Sequence, residues 1–220
     1  MTTPQVAQLK ERLMAWAGDG PHREEMLRAR ADFFRASGEV RDEEPCFEPV
    51  MDAFVDWYLC DRPMEAMGTP VERFLKEQQG VLPAAELEPF QALARTRPGV
   101  FLLEGMDEGT IRVRDLFTMD RLVVHERRRL VGVGRGDVFH ARLVPLEDGW
   151  FFTGFPLFHP TEVRGQVRKV LRHARKAGAA AYAEAQQQLF QKRVKVDRYR
   201  HVPPPDLYRD IVPRGLFPLW

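Results

Sequence analysis

Apolar positions repeat at helical spacing up to about residue 98 and at every second residue after Gly99, which places helices first and strands after. Val6, Leu9 and Leu13 mark a first helix opened by Thr3-Pro4 and stopped at Gly18. A second is expected from Pro21 to Ala36, partly burying Met26, Leu27, Phe33 and Phe34 and ending at Gly38. The third, Phe47 to Asp61, carries the widest apolar stripe: Phe47, Val50, Met51, Phe54, Trp57 and Tyr58. Thr69-Pro70-Val71-Glu72 is a capping-box pattern for a fourth helix closed by Gly80. A fifth runs from about Pro83 to Arg97, where Pro89 is expected to kink or split it.

Beyond Gly99, five short runs read as strands: 100–106, 110–116, 121–126, 138–145 and 150–155. Turn-forming pieces separate them, among them Asp107-Glu108-Gly109, Thr118-Met119-Asp120, the glycine-rich stretch 132–136 and Glu147-Asp148-Gly149. Five strands with such short links most simply curl into a small barrel. Alternation in 138–144 points Phe139, Ala141 and Leu143 inward, and His140 and Arg142 outward. Pro160-Thr161-Glu162 then opens a helix expected to reach Arg193. The proline-containing tail from Val194 holds Tyr199, Tyr208, Phe217 and Trp220 and is too aromatic for plain disorder. The expected fold is α+β: a helical region (1–98), a small antiparallel SH3-like β-barrel (99–160), a long basic C-terminal helix (161–193) and an extended tail (194–220) lying across this protein or a partner.

Several stretches together carry a resemblance: Phe54-Val55-Asp56-Trp57-Tyr58-Leu59-Cys60-Asp61, Thr69, Phe74-Leu75, and Ile111 through Thr118. Gly136-Asp137 and Ala141-Arg142-Leu143-Val144-Pro145 complete it. Over residues 47–160 the chain resembles uncharacterised bacterial proteins described by an attached SEC-C motif. That motif's cysteine-rich zinc-binding segment has no counterpart here, so the resemblance implies the helices-then-barrel order and transfers neither metal site nor catalytic residue.

Composition narrows the chemistry. The chain has no Asn and one Ser, Ser37, which lies outside any G-x-S-x-G elbow, so Asn-dependent triads and an ordinary serine hydrolase are excluded or disfavoured. Cys46 and Cys60 fit neither a CxxC pair nor a four-ligand zinc site, and Cys60 reads as a buried, inert thiol. No cofactor or metal is expected. The start of the chain lacks a secretory pattern and no apolar run approaches a membrane span, so a cytoplasmic location without membrane contact is expected. The net charge of +1 conceals an acidic front, residues 1–98, and a basic back, residues 161–220, which can attract each other or separate partners.

The glycine-rich stretch 132–136 precedes a strand instead of a helix, so it reads as a hairpin link and not a phosphate loop. Glu48, Asp52 and Asp56 recur at four-residue spacing and read as a solvated acidic face, with cation binding the sharper alternative. Asp115 and Asp120 read as turn formers, and His125 could meet His140 if their strands pair. Arg164, Arg168 and Arg172 form one helical stripe, and Arg112, Arg114 and Arg142 alternate on the barrel with Arg127–Arg129 adjacent. Such cations can meet phosphates or an acidic protein surface. The leading expectation is a non-catalytic binding or adaptor protein with a protein partner. A nucleic-acid-binding protein comes second, and an enzyme built on Asp115 or the histidines third.

Overall fold

A computed structural model describes residues 3–64, 68–128, 130–146 and 149–211. Five helices come first: α1 (Thr3–Ala17), α2 (Arg23–Ser37), α3 (Phe47–Cys60), α4 (Pro70–Gln78) and α5 (Ala84–Leu93). Six strands follow: β1 (Arg97–Asp107), β2 (Thr110–Asp115), β3 (Arg121–His125), β4 (Val138–Leu146), β5 (Gly149–Phe152) and β6 (Leu157–Phe158). The chain then forms α6 (Arg164–Ala177), α7 (Ala179–Arg198) and the single turn α8 (Pro204–Leu207).

Local chemistry explains most boundaries. The capping box at Thr69 is present, with the Glu72 carboxylate accepting from Thr69 N at 2.8 Å. Pro89 does not split α5: it removes only the amide that would serve Ala85, and Ala85 is exposed, so its carbonyl can be hydrated. Leu27 is 53 % exposed and belongs to no core, whereas Met26, Phe33 and Phe34 pack as expected. The segment read as one helix to Arg193 is divided. Gly178, at φ 111°, ends α6 and lets α7 fold back against it. Thr161 does not cap α6 either, which begins after a 3-10 turn and has no side-chain cap.

The strands close into a five-stranded barrel in the order β1-β2-β3-β5-β4, with β1 and β4 pairing to complete the ring and β6 added to β4. The pairings are antiparallel except β3 with β5, which meet in parallel through Val124 and Trp150 and through His125 and Phe151. Phe139 and Leu143 fill the barrel with Phe101, Leu103, Val113 and Phe152, and Ala141 packs against them. The barrel's outside is covered twice. Val144 and Phe151 join the core of α1–α5, while Val100 and Val138 join a core built by α6, α7, Tyr208 and Ile211. The tail therefore docks in cis as far as Ile211, with Tyr208 fully buried. Arg129, Glu147, Asp148, Phe217, Trp220 and the capping role of Thr3 lie outside the described residues.

Candidate functional site

A cavity of about 460 Å³ opens where three parts of the chain meet: α2–α3, the barrel, and α7. Its aromatic walls come from Phe33, Trp57, Phe155 and Phe190. Trp57 is half-buried there, with its ring centroid 5.5 Å from that of Phe33 and the Arg62 guanidinium over its ring at 5.5 Å. Four carboxylates also line it, Asp32, Asp52, Asp56 and Asp61, against the single guanidinium of Arg142.

The carboxylates expected to form a solvated face are instead largely consumed by the fold. Lys10, 6 % exposed, places its ammonium 2.7 Å from Asp56 Oδ1 and 3.3 Å from Asp52 Oδ1, and donates to the Thr153 carbonyl at 3.0 Å. Burial alone would depress this ammonium. Asp56 first and Asp52 second outweigh it and raise the Lys10 pKa above its ordinary value. The remaining oxygens are also used: Thr153 Oγ1 donates to Asp56 Oδ2, and Phe155 N donates to Asp52 Oδ2 at 2.8 Å. That approach requires Gly154, where a Cβ would lie 2.5 Å from Asp52 Cγ. Asp32 is divided between Arg35 and Arg62. Asp61 differs. Its Oδ2 is paired with Arg142, and its Oδ1 has no partner among the described residues. Burial lifts the Asp61 carboxyl above its usual range against the pull of Arg142.

Arg142 was expected on an exposed basic surface, and the structure corrects this. It is 7 % exposed, bonded to Asp61 and to Thr96 Oγ1, because the outer face of β4 is covered by helices instead of water. Arg112 pairs with Asp107, and Arg114 donates to Glu104 at 2.7 Å, so both serve the barrel's own carboxylates. Arg164 reaches Asp137 at 3.4 Å. Arg168 and Arg172 remain exposed with Lys169 and Lys176, and none of the four makes an ion pair with a described residue. The acidic front attracts the basic back elsewhere, through Arg198 and Glu44 at 3.3 Å.

The histidine pairing also differs from expectation. His125 stacks on Phe151, and it is His159 that lies beside His140, with ring centroids 5.0 Å apart. His159 shares a 2.8 Å hydrogen bond between Nδ1 and the Tyr208 hydroxyl. The Nε2 atoms of both histidines are sealed from solvent and have no partner. Desolvation, then the charge of Arg193, pushes His140 down to about 3, and His159 falls well below its normal value for the same first reason. Asp115 accepts from Phe117 N and Thr118 N, so it is a turn former as read, and Arg97 ties it to Asp120. Burial pushes the Cys46 thiol up to about 12 and Cys60 to about 11, leaving neither poised as a thiolate. Among the described residues, no three His, Cys, Asp or Glu side chains are placed to hold a metal, and no helix is long and apolar enough to cross a membrane.

Residues 41–199 match DUF7986, a family of unknown function. The chain belongs to that family. The match takes in α3 to α7, and hence the barrel, the basic helix and the cavity apart from its α2 wall, and the family description assigns no activity to any of them. Neither the curated proteins nor the solved structures contain a match.

Proposed function

We propose that the chain is a non-catalytic binding or adaptor protein of the cytoplasm, akin to the SEC-C-associated proteins it resembles, that engages an acidic protein surface through α6. The observation that carries this reading is the exposed face of Arg168, Lys169, Arg172 and Lys176, which has no carboxylate partner among the described residues. The opposite face, Val167, Val170, Leu171 and Ala174, is anchored in the core, so the cations are presented on a fixed support. Arg112, Arg114 and Arg142 on the barrel, and the tail as far as Ile211, are engaged within the molecule.

Nucleic acid is the second reading, since the same cations suit phosphates. The net charge of only +1, with an acidic N-terminal region, favours a partner met at short range over a long polyanion. The test is binding of a labelled polyglutamate peptide and of a labelled DNA duplex to wild type and to Arg168→Glu/Arg172→Glu across a salt series. The expected result is binding of the acidic peptide at least as tight as the duplex, lost in the double variant with its circular dichroism unchanged. Tighter duplex binding would transfer the surface to nucleic acid. Equal peptide affinity for both proteins would remove α6 from the account.

A further inference from the structure

We infer that the cavity between α2–α3, the barrel and α7 is a binding site for a small aromatic amine, held by its ammonium at Asp61 and by its ring between the aromatic walls. This site is separate from the α6 surface and stands on its own observations. At about 460 Å³ the cavity has the size of a small-molecule pocket. It is lined by aromatic side chains from three separate elements, with Phe33 on α2, Trp57 on α3 and Phe190 on α7, while Phe155 comes from the link after β5. Such rings favour a flat apolar body and attract a cation through their faces.

Charge decides the sign of the ligand. Four carboxylates face the cavity against Arg142 alone, while Lys10 and Arg62, which neutralise three of them, do not line it. An anion would meet that carboxylate surface, whereas an ammonium would meet Asp61 Oδ1, the lining carboxylate oxygen that the fold leaves unbonded. Asp61 is reachable, with 38 % of its side chain exposed beside the nearly buried Arg142.

The probes are tryptamine and indole-3-propionate, which share a ring and differ in charge. Calorimetry should show tryptamine binding at least about tenfold tighter than indole-3-propionate. In the amide and indole spectrum the Trp57 Nε1–H signal should shift while those of Trp16 and Trp150 stay in place. Asp61→Asn should weaken tryptamine by about tenfold or more and leave indole-3-propionate unchanged or improved. Because that variant deprives Arg142 of its partner, Ala53→Phe, which fills the cavity from α3, is the second variant and should abolish tryptamine binding. Equal affinity for the two probes on wild type, no shift at Trp57, or undiminished binding to Ala53→Phe would each overturn the site.

Discussion

His140 and His159 show how two buried imidazoles can make stability depend on pH. Both imidazoles are held neutral where β4, the link after β6, α7 and the tail meet, facing each other, Arg193 and the Tyr208 hydroxyl. Asp197 lies beside Arg193 at 3.2 Å and offsets part of its charge. Folded values lie below the ordinary histidine value near 6.5, so the unfolded chain binds more protons as the pH falls. The stability contributed by the neutral pair is therefore complete above about pH 6.5 and is lost as the pH drops toward the folded values. Between about pH 6.5 and 5, above the carboxylate range, unfolding free energy should fall by up to about 1.4 kcal/mol per pH unit for each histidine. Urea midpoints across that window check this, and His140→Phe should flatten the slope. A midpoint that does not move would show that the two imidazoles are not neutral in the fold. The alternation that placed His140 outward on β4 was legible in the sequence. Its neighbours were not, because His159 and Phe190 arrive from other elements.

At the scale of elements, periodicity located the five N-terminal helices and the five barrel strands within a few residues, since helical and strand spacing are local properties of the chain. The C-terminal helix shows the limit. A continuous polar-apolar pattern from Arg164 to Arg193 hides a reversal at Gly178, where the backbone adopts φ 111°. Gly178 meets no atom within 4 Å of a built Cβ, so its requirement is conformational, not steric. Gly178→Ala should destabilise the protein by about 1–3 kcal/mol, measured by chemical denaturation, although alanine is the better helix former. An unchanged or higher stability would mean that α6 and α7 tolerate a straight junction. The corrected α5 makes the complementary point. Pro89 was expected to kink or split the helix, and it does not split it, because the carbonyl it orphans faces solvent.

For the whole molecule, Lys10 matters more than its place in the sequence suggests. It lies on α1, bonds Asp52 and Asp56 on α3, and donates to Thr153 on the barrel side, joining segments 42 and 143 residues away. Lys10→Met should cost about 3–5 kcal/mol, because two carboxylates would lose their counter-charge inside the protein. The wild type should unfold in one transition by fluorescence and circular dichroism alike, since Val144 and Phe151 of the barrel complete the core of α1–α5. A loss below about 1 kcal/mol in the variant would show that solvent reaches Asp56. By itself, the sequence determined the α+β order, the barrel's inward residues, the capping box, the turn roles of Asp115 and Asp120, and the cationic stripe of α6. Those features depend on residues a few positions apart. Only the tertiary structure decided that Arg142 is buried, that Asp52 and Asp56 hold a lysine instead of facing water, that His140 meets His159, and that a cavity remains with one carboxylate oxygen unbonded. Each of these depends on which distant surfaces cover one another, and hydrophobic spacing along the chain says that a face is buried without saying what lies against it.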